Sequence, residues 1–268
     1  MKIEVLGSTQ DGGVPHLECG CDVCEAAREN PEEAKRNASI LLKDSEEEDS
    51  FRYLVDATPD VRYQVKADYL DGVFISHGHL GHITGLLQFG EEGANKTDLP
   101  LYVSDKTEDY IRKNDPFRLL VDKGNVEIMS FNDEDEVDIQ GGRIEAFEAR
   151  HNRVNTDTLS FMIHGEEKKL FYIADIHEWT EKTLNLMQQA DIAIVDGTFW
   201  SEEEIERYEE VPHPVMKETM HLAEGWDTDI YFTHINHTNP ALRKDTDERQ
   251  EIQERGFGVA EQGMEFEL

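Results

Sequence analysis

With 268 residues, the chain is long enough for one large α/β domain or two small ones. Its 59 acidic against 26 basic residues give a net charge of -33, which argues against nucleic-acid binding, because phosphate backbones are held by clustered Lys and Arg. No run approaches the ~20 apolar residues of a membrane span, and the opening Met1-Lys2-Ile3-Glu4-Val5-Leu6-Gly7 carries an early acid and a glycine where a secretory signal needs an apolar stretch.

In chain order, Ile3-Leu6 reads as a strand, then Cys24-Asn30 as a helix, and Ser39-Leu42, Tyr53-Asp56 and Val73-Ser76 as further strands. Gly81-Phe89 is a helical pattern. Leu101-Val103, a helix over Thr107-Asn114, Val126-Met129 and Arg143-Ala149 follow. Leu159-Ile163 and Leu170-Ala174 flank Gly165-Glu166-Glu167-Lys168 and form a predicted hairpin. Glu178-Gln189, Ser201-Tyr208 and Pro214-Glu224 read as helices around the short buried strands Ile192-Asp196 and Ile230-His234. The acidic stretches Asp44-Asp49 and Asn132-Glu136 read as turns. No repeat or linker breaks the pattern, so a single domain over 1-268 is expected, with short strands and interspersed helices in a two-sheet layered α/β arrangement.

Two constellations carry chemistry. The first is His77-x-His79-x-x-His82, directly after the apolar run Val73-Phe74-Ile75. Neutral imidazole is the commonest metal ligand, and residues i and i+2 of an extended segment point to one side. Three histidines of eleven in so short a span are therefore a metal site rather than chance loop residues. The second is Cys19-Gly20-Cys21-Asp22-Val23-Cys24, which holds all three cysteines. An odd, tightly spaced set is not a disulfide framework, and three thiolates need one more ligand to close a tetrahedral zinc site. Thr233-His234-Ile235-Asn236-His237 offers a candidate in His237.

The histidine motif resembles that of the metallo-β-lactamase superfamily, whose signature is His-x-His-x-Asp-His. The resemblance implies a four-layer αββα sandwich. It places His77, His79 and His151, which follows Ile144-Arg150, on one metal, and His82 and His234 on a second, with Asp175 bridging. Gly81 stands where the family has its aspartate, which removes one ligand from the second position and leaves one or two catalytic divalent ions (Zn, Mn or Fe) open. The chain further resembles the pyrroloquinoline-quinone biosynthesis protein B family through Leu6-Gly7-Ser8, Gly12-Gly13-Val14-Pro15, Asp56-Ala57-Thr58-Pro59-Asp60-Val61-Arg62, Asp196-Gly197-Thr198-Phe199-Trp200 and His234-Ile235-Asn236-His237-Thr238-Asn239-Pro240. In the related branch that contains the cyclic phosphodiesterase of phosphonate breakdown, a Cys-x-Cys-x-x-Cys insert binds structural zinc with the second histidine of Thr-His-x-x-His. That implies zinc on Cys19, Cys21, Cys24 and His237. The same branch implies an action of His213 on the substrate phosphate or the leaving group. His16, His164, His177 and His221 have no comparably specific context and read as structural or surface residues.

These features predict a cytoplasmic metallo-hydrolase that acts on a small phosphodiester or related ester through a metal-activated hydroxide, with Asp175 and His213 as catalytic residues. An iron-dependent oxidative step in pyrroloquinoline-quinone biosynthesis is the alternative, and a non-catalytic metal-binding scaffold the second alternative. The expected partner is a small-molecule substrate, with no nucleic acid and no membrane; a homodimer is left open. The acid excess also predicts a hydrated surface of halophilic type, adapted to high salt, where screening shortens self-repulsion.

Overall fold

The computed structural model describes residues 1–44, 50–66, 69–151, 156–205 and 210–268. The first half of the chain supplies β1 (Lys2–Gly7), β2 (Ser39–Lys43), β3 (Arg52–Val55), β4 (Gly72–Phe74), β5 (Leu99–Val103) and β6 (Val126–Ser130). The second supplies β7 (Glu136–Ile139), β8 (Gly142–Ala149), β9 (Thr158–His164), β10 (Lys169–Ile173), β11 (Ile192–Asp196), β12 (Asp229–Thr233) and β13 (Gly258–Val259). A final strand, β14 (Glu265–Glu267), returns to the edge of the first sheet beside β1. The two sheets run in the orders β14-β1-β2-β3-β4-β5-β6 and β13-β12-β11-β10-β9-β8-β7.

Strand alternation builds the layers. On β2, Ile40 and Leu42 join the apolar layer between the sheets while Leu41 joins the layer on the outer face. On β10, Leu170 and Tyr172 point inward and Phe171 and Ile173 outward. The outer face of the first sheet is covered by α2 (Val61–Gln64), α3 (Leu80–Ile83), α4 (Asp105–Lys113) and α5 (Phe117–Asp122), through Val61, Ile83, Ile111 and Leu120. That of the second is covered by α1 (Asp22–Glu29), α6 (Glu181–Gln189), α7 (Met216–Leu222) and α8 (Asp247–Glu254), through Ala27, Met187, Met216 and Ile252. The arrangement is an αββα sandwich of the metallo-β-lactamase fold, as the sequence predicts.

Several element ends differ from expectation. Glu136 opens β7 rather than closing a turn, paired to Glu145. The predicted strand Val73-Ser76 ends at Phe74, and Ile230-His234 ends at Thr233, because His234 takes a left-handed conformation at φ 57°. The helix expected over Gly81-Phe89 divides into α3 and a 3-10 segment, Thr84–Phe89. Among its described residues Ser201-Tyr208 has the single turn Glu202–Glu204; its last three positions lie outside the described residues, as does all but Asp44 of the acidic stretch 44–49. The helix α6 starts at Glu181 rather than Glu178, after the N-cap Thr180, whose hydroxyl accepts from the Thr183 amide in a capping box.

In the first sheet β3, β4, β5 and β6 are mutually parallel, and in the second β10, β11, β12 and β13. Parallel neighbours end on the same side, so their carboxyl ends form a shared rim, the usual place for a ligand in such sheets. Asp56, His77, Asp175, Asp196 and His234 all lie at or just beyond these ends.

Candidate metal centre

The rim gathers the predicted histidines into one pocket. His77 Nε2 lies 3.2 Å and His79 Nδ1 3.4 Å from Asp175 Oδ2, while His151 Nδ1 lies 3.0 Å from Asp175 Oδ1. On its other side the same Asp175 Oδ2 is 4.0 Å from His82 Nε2 and 3.8 Å from His234 Nε2. Asp175 therefore stands between two groups of imidazoles. Among the described residues, buried His77 Nε2, His151 Nδ1 and Asp175 Oδ1 are close to one another but make no hydrogen bond of good geometry. Lone-pair donors packed this closely and left unsatisfied cost free energy unless a cation sits among them. The donor set thus fits a divalent metal, with His77, His79, His151 and Asp175 as one possible ligand group.

Outer partners fix the rings. Asp56, fully buried at the end of β3 with φ 64°, accepts from the Ser76 amide at 2.8 Å and the Ser76 hydroxyl at 2.9 Å, and lies 2.7 Å from His82 Nδ1. Thr198 Oγ1 lies 2.9 Å from His234 Nδ1 and donates to the His234 carbonyl. Such contacts select the tautomer that leaves Nε2 as the ligating atom. Burial, above all, pushes His77 down to about 3, so it is neutral and able to ligate. Burial opposes ionisation of Asp175, but His234, His151, His77 and His79 hold it well below the usual carboxylate range.

His213, predicted to act on the leaving group, borders the same cavity. Its Nδ1 lies 2.8 Å from Asp196 Oδ2 and 3.6 Å from Asp175 Oδ1. Burial alone would lower its pKa, yet the Asp196 carboxylate, aided by Asp175, raises it to about 9. The cavity encloses about 400 Å³, the size of a small-molecule site. His16 and His177 also line it, so two histidines expected to be structural or surface residues belong to its wall. The His177 ring lies 4.3 Å from that of His151. His164 instead lies 3.4 Å from Glu145, and His221 is exposed on α7.

The cysteine cluster lies at the cavity's edge. Cys19 Sγ and Cys21 Sγ lie 3.5 and 3.7 Å from His237 Nδ1, and all four donors, with Cys24, fall within 4.8 Å of one another. Cys24 Sγ accepts from the His16 amide, and Cys19 Sγ from the Cys21 amide. That second bond lowers Cys19, whereas burial, followed by the neighbouring thiols, raises Cys24 to about 11. A Cys3His set on two chain segments has the ligand count and chemistry of a closed tetrahedral zinc site.

A family model for the β-lactamase superfamily domain matches residues 51–235, well over half of the chain. The chain belongs to the β-lactamase superfamily. Among its relatives, the coenzyme PQQ synthesis protein B of Methylobacillus flagellatus is 26% identical, with 100% of both chains covered. Among solved structures, the Zn(2+)-bound PqqB from Methylobacterium extorquens superposes with TM-score 0.85 at 24% identity, over 100% of both chains. A diphosphatase from the PhnP family superposes with TM-score 0.73 at 23% identity, over 100% of this chain and 96% of its own.

Within the pocket, the structure adds one residue and gives positions to others that the sequence reading names only within family motifs or a strand. Asp11 Oδ1, from the loop after β1, lies 3.4 Å from His82 Nε2 and 3.5 Å from His234 Nε2. Asp196, Thr198 and Ser76 supply the outer contacts. Their signal is faint: Asp56 and Asp196 close apolar strands, but Asp11 sits in a Gly-rich loop and reaches the pocket only through tertiary folding.

Proposed function

We propose that the chain is a metal-dependent hydrolase of small phosphodiesters or closely related esters, and that Cys19, Cys21, Cys24 and His237 bind a structural zinc. The observation that carries the reading is the convergence of unsatisfied buried donors around Asp175 beside the Asp196–His213 pair. A divalent ion held by His77, His79, His151 and Asp175 would supply a nucleophile at neutral pH, lowering the pKa of bound water from ~15.7 to about 7, and would polarise the phosphoryl or acyl oxygen.

The protein's own groups do the rest. Asp175 holds the imidazoles of both groups in register. His213, protonated at neutral pH and held by Asp196, donates its proton to the departing oxygen as the ester bond breaks. Histidines among the described residues lining the cavity, with the ion, could meet an anionic group of the substrate. The net charge of -33 disfavours a polyanion such as nucleic acid. The likeness to a PhnP-family diphosphatase supports phosphoester chemistry.

The test is anaerobic hydrolysis of bis(p-nitrophenyl) phosphate and of a small cyclic phosphodiester by zinc- or manganese-loaded protein. His79→Ala is expected to lower the rate at least about 10³-fold, as expected for loss of a ligand to the ion that generates the nucleophile, while leaving the circular dichroism spectrum and the cysteine-bound zinc in place. A rate unchanged by His79→Ala would sink the reading. The full-length similarity to coenzyme PQQ synthesis protein B favours a second reading, an iron-dependent oxidation in assembly of that quinone. Oxygen uptake by iron-loaded protein, with no hydrolysis of either ester, would put that reading first.

A further inference from the structure

The loop after β1 brings a carboxylate to the space that a side chain at position 81 would occupy. A Cβ built on Gly81 would overlap Asp11 Oδ1 and lie 2.5 Å from its Cγ. A side chain at 81 and the Asp11 carboxylate in its present place therefore exclude each other. Gly81 is the position where the His-x-His-x-x-His motif lacks a ligand for its second half, and Asp11 fills that gap from a distant part of the chain.

The loop is held there from several sides. Ser8 O accepts from the Ile235 amide at 2.8 Å, and the Gln10 amide donates to Ile235 O at 3.1 Å. Gln10 Nε2 donates to Asn236 Oδ1 at 3.1 Å, and Asn37 Nδ2 donates to Gln10 O at 2.7 Å. These bonds clamp residues 8–10 against the segment just beyond His234. The two positions after Asp11 must be small or left-handed: a Cβ on Gly12 would overlap the His16 ring, and Gly13 has φ 64°.

The donor geometry asks for a cation. His82 Nδ1 faces Asp56 and His234 Nδ1 faces Thr198, whose own proton goes to the His234 carbonyl, so both rings keep their proton on Nδ1. Their Nε2 atoms are 3.4 Å apart, and each is 3.4–3.5 Å from Asp11 Oδ1. Three lone pairs then face one another. Direct ion pairs between imidazolium and carboxylate would draw in to about 2.7–2.9 Å. They have not, and buried Asp11 Oδ1 has no hydrogen-bond partner among the described residues.

We propose that Asp11 is the carboxylate ligand of a second divalent ion, held with His82, His234 and Asp175, in place of the ligand missing at Gly81. The proposal rests on the reading of the pocket as a catalytic metal centre. It makes the pocket dinuclear despite the altered motif, with Asp175 shared between the two ions and Asp11 bound to the second.

The experiment titrates Mn(II) into protein whose cysteine site retains zinc, counting bound manganese by mass spectrometry and recording the electron paramagnetic resonance spectrum. The wild type is expected to bind two Mn(II) per chain with a spin-coupled spectrum. Asp11→Asn, nearly isosteric, is expected to weaken the second ion at least about 100-fold, beyond the 10–100-fold typical of losing an outer partner, and to give an uncoupled spectrum. Unchanged zinc content and circular dichroism certify each fold. A wild type with one Mn(II), or two that survive Asp11→Asn unchanged, overturns this proposal and leaves the hydrolase reading standing. A wild type that binds no Mn(II), Zn(II) or Fe(II) in the pocket defeats both.

Discussion

The cysteine cluster and the histidine pocket are assembled from the same class of donor, yet they are built differently. Three of the four donors in the cluster come from residues 19–24, with Cys19 and Cys21 half-buried and backbone amides as partners. The pocket draws its donors from the ends of several strands in two sheets, and buried Asp56, Ser76 and Thr198 set its rings. A donor set of four that closes on itself has the form of a structural site, whereas one that opens on a cavity has the form of a catalytic one. The two are joined by sequence: Asp11 lies between β1 and the cysteines, on the segment that a zinc at His237 would pin.

The strongest way to break that comparison is Cys21→Ser. If the cluster is a cross-link between residues near 20 and His237, its loss should remove one zinc per chain and destabilise the protein by about 5 kcal/mol, as for a covalent cross-link closing a loop of over 100 residues. Zinc analysis and chemical denaturation read both effects. The pocket's first ion should remain. Full zinc content in the variant would mean that the thiolates are not its ligands.

The next effect concerns His213. Burial alone would lower its pKa, but Asp196 raises it to about 9. In the proposed reaction the protonated ring would be the acid, so its function would be complete near neutrality and lost as pH rises through the folded value. Cations bound nearby disfavour the charged ring, so the alkaline fall in kcat comes at or below about pH 9. His213→Gln is expected to lower kcat about 10²–10³-fold and to remove that alkaline limb. A variant that keeps the limb would assign it to another group.

How much of this was legible in the sequence follows from how local each signal is. The histidine motif and the cysteine cluster are confined to short segments, and both donor sets come together in space. His151, Asp175 and His234 were reached only through the family resemblance, because a lone histidine or acid after a strand has many uses. Asp11 was missed because its relation to Gly81 exists only across the fold. The strand β7 was missed because Glu136-Val137-Asp138-Ile139 is half acidic and reads as a continuation of the preceding turn. The helix α8 was missed because its sequence, DERQEIQE, buries only Arg249 and Ile252 and so carries little apolar periodicity.

Asp56→Asn gives the smallest and sharpest test of what separates the pocket from the cluster. Asp56 touches no position where an ion would sit; it holds His82 through Nδ1 and takes two hydrogen bonds from Ser76. An asparagine keeps the shape and an acceptor oxygen but removes the charge that makes His82 a stronger donor. The expected loss is about 10–100-fold in affinity for the ion on His82, with the ion on His77, His79 and His151 less affected. Isothermal titration with Mn(II) resolves the two if they differ in this way. Because the variant leaves every proposed ligand in place, an equal loss at both positions would mean that Asp56 supports the strand ends as a whole. A loss confined to the second would show that ring orientation, from outside the donor set, is what the pocket has and the cysteine cluster lacks.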